Sequence, residues 1–141
     1  MNQAMLALAQ APRAEVLALA QNIRSSTTVR HLTIPGESLW MLTMEDGVFQ
    51  DQFYLGELPA ASAAVELGDG SQAGAILLGD DVEQSEAIAI CLAALKGARP
   101  ETPAIEQLIQ KGLSDLASIR STRDAMRSGS RVAFAELGEQ A

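Results

Sequence analysis

The segment Val65–Leu78, VELGDGSQAGAILL, constrains the fold most strongly, because two apolar, strand-like runs meet there at Gly68-Asp69-Gly70-Ser71. Glycines placed between apolar runs serve either a tight turn joining paired strands or a backbone cradle for a phosphate group. A dinucleotide cradle needs the spacing G-x-G-x-x-G and a helix that starts at once. Here Gly74 stands four residues after Gly70, and QAGAILL reads as a strand. The spacing predicts a β-hairpin, and with it an antiparallel sheet.

Upstream, Arg13–Arg24 sets Val16, Leu19, Ala20 and Ile23 at helical spacing behind Pro12, and the helix is read as extending back over Met5, Leu6 and Leu8. From Thr27 the pattern becomes alternating and β-branched (TTVRHLTI), and Pro35-Gly36-Glu37-Ser38 reads as a turn closing that strand. Two further strands, LWMLTM and VFQDQFYL, flank a hairpin turn at Glu45-Asp46-Gly47, followed by SAAVEL. Asp81 with Gln84 forms a capping box for a helix whose buried stripe is Ile88, Cys91, Leu92 and Leu95, stopped by Gly97. Thr102-Pro103 opens another helix carrying Ile105, Leu108, Ile109, Leu113 and Leu116, which Gly112 weakens and Gly129 ends. The order predicts an α+β fold, an antiparallel sheet meander with helices packed mainly on one face.

A chain of 141 residues suits one domain with a real core. Its net charge of −8 opposes nucleic acid and anionic lipid as partners. No apolar run approaches the roughly 18 residues of a membrane span. The start reads poorly as a secretory leader, so a cytoplasmic location is expected. Cys91 and His31 are the only residues of their types, which leaves neither an internal disulfide nor a Cys/His metal cluster. No metal and no cofactor are expected in this chain.

The candidate residues for chemistry are few. His31 lies mid-strand and reads as a structural group, and Cys91 reads as a small core side chain, remote from any helix N-terminus that would lower its pKa. Asp80 and Asp81 precede a helix, which capping explains without a cation. Trp40 and Phe53 belong to strands; in a small-molecule binding domain they would line a pocket between sheet and helices. An autonomous enzyme would have to use carboxylates such as Glu57 and Asp81. The arrangement that resists a bland account is Arg120, Arg123 and Arg127, spaced three and four apart on the continuation of an apolar helical stripe, with Arg131 prolonging it. This basic surface reads either as a helix end projecting past the domain edge, its arginines in solvent or paired to the chain's own carboxylates, or as a contact for an acidic partner protein or a phosphate. The set contains no pairing of nucleophile and base, so no catalytic residue is assigned.

The order and spacing of an N-terminal helix around LALAQAPRAEVLAL, then PGESLWML, FYLGE (Phe53–Glu57), AAVELGDGSQAG (Ala63–Gly74), LGDD followed by EAIAICLAAL, and the tail SRVAFAEL resemble the PhnG family, the small subunit of the carbon-phosphorus lyase system. The resemblance implies one PhnG-like domain over 1–141, with 129–141 as a short docking tail. It further implies a subunit that acts with PhnI, PhnH and PhnJ-like partners; in isolation the chain is a candidate homodimer. In that family a phosphonate and a purine nucleoside triphosphate are joined, with loss of the base, to give ribose 1-phosphonate 5-triphosphate. The chain departs from the family pattern at Ala61 and Ser62, where a threonine and a basic residue are usual, and at Asp80 and Leu137, where arginines are usual. Those positions are expected to touch partners or phosphates, and a diverged paralogue with a structural role is the alternative they open.

Overall fold

The computed structural model describes residues 2–130. It orders seven elements: α1 (Asn2–Gln10), α2 (Arg13–Ser26), β1 (Val29–Glu45), β2 (Gln52–Leu67), β3 (Gln72–Leu78), α3 (Val82–Lys96) and α4 (Thr102–Gly129). The fold is α+β. The N-terminal helical pattern is two helices rather than one extended helix. Pro12 has no N–H to continue the ladder and disfavours helical geometry at Ala11, so the chain breaks there and restarts at Arg13.

The five short strands suggested by the sequence merge into three, ordered β1-β2-β3 and antiparallel throughout. Pro35 and Gly36 do not end a strand. They lie inside β1, where the register slips between Thr33 and Gly36, and a slip on an edge strand tolerates a residue that cannot donate to the ladder. Val48, Phe49 and Gln50 belong to the turn rather than to a strand. The Asp46 and Gln50 N–H groups donate to the Asp51 and Asp46 carbonyls, the Asp46 carboxylate accepts from the Val48 N–H, and Gln50 takes φ 58°. The hairpin between β2 and β3 matches expectation, with Gly70 at φ +84° supplying the left-handed position of the turn.

Along the second half of β2, Ala61, Ala63, Val65 and Leu67 are buried while the residues between them are not, so one sheet face is inward. Against that face lies α3. Half of the expected capping box forms: the Gln84 N–H donates to Asp81 Oδ1 at 2.9 Å, with Gly97 at the far end, while the Gln84 side-chain amide donates to the Ala9 carbonyl at 3.4 Å and ties α3 to α1 instead. Its buried surface is wider than the expected stripe, since every residue from Ala87 to Ala94 is buried. The cause is sandwiching: α3 touches the sheet on one side and α1 and α2 on the other, and a helix covered all round needs apolar or small residues all round. α4 packs chiefly on α1. Gly112 is the point of approach, because a Cβ there would fall on the Ala7 carbonyl. The glycine that the sequence marks as a weakness is what lets two backbones touch.

Candidate interaction surface

The glycine turn is poorly suited to seat a phosphate. Two of its four amides are already used: the Gly70 N–H donates to the Leu67 carbonyl at 2.8 Å and the Ser71 N–H to Asp69 Oδ1 at 2.8 Å. The Asp69 carboxylate sits in the loop itself, held below the usual carboxylate range by hydrogen bonds from the Ser71 hydroxyl and N–H and from Arg99. Arg99 Nη1 reaches Asp69 Oδ2 at 3.3 Å and Nη2 reaches the Ser26 hydroxyl at 3.1 Å, so the nearby cation ties the turn to the end of α2. An anion would have to displace one already in place.

The remaining candidate groups are also engaged. His31 Nε2 and Arg24 Nη2 both reach Glu86 Oε1 at 2.5 Å, joining β1, α2 and α3 through one carboxylate. Partial burial pushes the Glu86 carboxyl up, but hydrogen bonds and charge from His31 and Arg24 hold it below the ordinary value. His31 is thus part of an ion-paired junction. Asp81 accepts from Arg13 Nε at 2.7 Å in addition to capping α3, and Arg13 reaches Glu83 at 2.7 Å as well. The Asp81 carboxyl is lowered, first by the Arg13 hydrogen bond, and acts as a tether between α2 and α3. Burial pushes the Cys91 thiol up to about 12, which fits a core side chain. Among the described residues no group of three or more His, Cys, Asp or Glu gathers as metal ligands would. Among the described residues no helix is long and apolar enough to cross a membrane.

What the structure does present is an uncovered arm. Beyond Ala60, strands β1 and β2 leave the helices and continue as a two-stranded ribbon, in which not one residue from Glu37 to Leu58 is buried. Nine strand residues of β1 make this ribbon about 30 Å long. Ile34, Leu39, Met41, Phe49 and Tyr54 are 85%, 65%, 57%, 76% and 67% exposed. Trp40 pairs with Leu58 across the ribbon, and Leu78 of β3 pairs with Ala60 beside them. On this outer sheet face Trp40, Leu42, Leu58, Ile76 and Leu78 line a hollow of about 150 Å³. Trp40 and Phe53 therefore do not line a pocket between sheet and helices; both are about half exposed on the arm, because no helix reaches that far. Glu57 lies on the same arm, away from the capping role of Asp81.

The arginine face is the second uncovered feature. The helix carrying it leaves the domain after Leu116, and every residue of α4 from Ala117 onward is exposed, a projection of about 20 Å. Arg120, Arg123 and Arg127 lie on it as the spacing predicts. Their one ion pair among the described residues is Arg127 with Asp124 at 3.9 Å, with both side chains at least three-quarters exposed. Arg131, Leu137 and the tail from 131 to 141 lie outside the described residues. Of the positions where the family pattern is broken, Ala61 is fully buried, so it is a packing position rather than a surface contact, whereas Asp80 is exposed.

Sequence reasoning missed the arm, although one signal was present. Leu39-Trp40-Met41-Leu42 is apolar at consecutive positions, which in a strand means both faces expect cover. The described chain covers neither there. A protein-family model described as Phosphonate metabolism protein PhnG matches residues 2–138. No curated protein matches the chain.

Proposed function

This chain belongs to the PhnG family, and from that premise we propose that it works as a non-catalytic or shared-site subunit of a phosphonate-metabolising assembly. Its immediate partners in this reading are PhnI, PhnH and PhnJ-like subunits. The observation that carries the reading is the arm, whose two faces are both apolar and both open. Covering a large apolar side chain stabilises an assembly by about 1.5–3 kcal/mol, so a ribbon of this kind is favoured only as part of something larger. The engagement of His31, Asp81 and the glycine turn in structural contacts supports a subunit role over an autonomous enzyme.

At the finer level, the assembly joins a phosphonate to a nucleoside triphosphate. A phosphonate oxygen forms a bond to C1′ of the ribose as the bond from C1′ to the base breaks, and the base leaves to give ribose 1-phosphonate 5-triphosphate. Residues of this chain support that step by holding partners in register, and the Arg120, Arg123 and Arg127 face is the surface available to phosphate groups or acidic partner segments. The test is co-expression of the full chain with the three partner subunits. A stable co-purifying complex that releases free base from a nucleoside triphosphate only when this chain is present supports the reading. Failure to co-purify, with the partners active alone, overturns it.

A further inference from the structure

The two uncovered features of this chain are opposite in charge. Residues 34–58, which span the arm, carry Glu37, Glu45, Asp46, Asp51 and Glu57 and no lysine or arginine. None of these five carboxylates is ion-paired among the described residues. The projecting half of α4, residues 117–130, carries three arginines against the single Asp124, and its apolar Ile119 and Met126 are 39% and 71% exposed. An apolar acidic ribbon about 30 Å long and an apolar basic helix about 20 Å long thus stand on one polypeptide, each without cover among the described residues. A surface patch and its complement on the same chain make a closed two-fold pairing available, because each copy offers both halves.

We propose that the free chain forms a two-fold dimer in which the arm of each copy receives the projecting half of α4 from the other. Size permits it. On the face that carries Glu37 and Glu57, Leu39, Met41 and Tyr54 are 65%, 57% and 67% exposed and leave on the order of 400 Å² uncovered. With the projecting half of α4 from the same copy, which enters the second contact, the surface reaches the scale of roughly 800 Å² per partner that a standard stable interface needs. Charge sets the register: the arginines of the helix face carboxylates that have no ion-pair partner among the described residues of their own copy, and the pairing suppresses an arm-to-arm stack, which would set like charges together. This goes beyond the family reading and does not depend on it, since it concerns the chain without partner subunits.

The experiment uses the full chain in sedimentation equilibrium across concentration and salt. The expected species is a dimer of the 14.9 kDa chain, with affinity falling about tenfold or more between low and high ionic strength. Two charge-reversed chains decide the geometry. One carries Arg120→Glu, Arg123→Glu and Arg127→Glu; the other carries Glu37→Lys, Glu45→Lys and Glu57→Lys. Each alone is expected to be monomeric, with circular dichroism confirming retained structure, whereas their mixture is expected to form a heterodimer, since both contacts are then complementary again. All the changed positions are exposed, so folding is expected to survive. A wild-type monomer at all concentrations overturns the proposal, and so does a dimer indifferent to either reversal or a mixture that fails to pair. Co-purification with partner subunits does not enter this test, so it can fail while the family reading stands, and the converse also holds.

Discussion

The carbonyl of Ala7 occupies the place where a side chain at Gly112 would begin. This one contact sets how closely α4 can lie on α1, and therefore how the projecting half of α4 is carried. The obstacle is backbone, so it cannot rotate away.

Replacing Gly112 with alanine tests the contact directly. Helix propensity alone favours alanine by up to about 1 kcal/mol. Overpacking against a fixed carbonyl costs about 1–3 kcal/mol, and we expect it to win, lowering the urea midpoint. The second substitution Ala7→Gly is expected not to rescue it, because the clash is with the carbonyl and not with the Ala7 methyl. A Gly112→Ala chain as stable as the original would show that the two helices are free to separate.

Asp81 joins cap and tether in one carboxylate. Asp81→Ala is expected to cost about 1 kcal/mol, within the usual range for a lost helix cap. Asp81→Asn keeps an acceptor for the Gln84 N–H and is expected to recover most of that loss, since the exposed pairing with Arg13 contributes little. Equal losses in the two variants, read from chemical denaturation, would assign the stabilisation to the ion pair instead.

Acid should loosen the junction at Glu86. Its carboxyl is lowered in the folded chain relative to an unfolded value near 4.3, so the stability it contributes is present above that pH and is lost as pH falls through the folded value. The Glu66, Asp69 and Asp81 carboxyls are lowered too and act with the same sign. Glu86→Gln is expected to be less stable than the original at pH 7, with the gap narrowing below about pH 4. A gap that stays constant from pH 7 to pH 3 would contradict the ionic account of this contact.

Trp40 is the single tryptophan and lies on the outer face of the arm, 49% exposed. Its emission therefore reports cover at one known place. We expect red-shifted emission in dilute monomer and also in the dimer, whose contact uses the opposite face bearing Glu37 and Glu57, and a blue shift when partner subunits cover the outer face. Emission that stays unchanged on binding of the partner subunits would mean that the outer face remains open in the assembly.

Much of the local structure was legible in the sequence because its causes are local. The Asp81–Gln84 cap, the turn at Gly70 and the helix opening at Thr102-Pro103 follow from the chemistry of neighbouring residues, and so does the regular spacing of Arg120, Arg123 and Arg127. The errors fell where local signals met a longer-range constraint. Pro35-Gly36 carries turn chemistry, yet the pairing of β1 with β2 on both sides of it holds the strand straight through a change of register. Gly112 looks like a flaw in a helix until Ala7 is beside it. The width of the α3 core could not be read from α3 alone, since it depends on the sheet and two helices closing round it.

By itself, the sequence determined the element types, the antiparallel hairpin at the glycine turn and the lack of local catalytic groupings, because backbone preference and residue spacing act over a few positions. Only the tertiary structure decided that His31 meets Arg24 at Glu86, and that the helices end short of residues 37–58 and leave an acidic, apolar ribbon in solvent. Burial is a property of what arrives from elsewhere in the chain. A run such as Leu39–Leu42 announces that it needs cover, and the folded chain reveals that its own helices do not supply it.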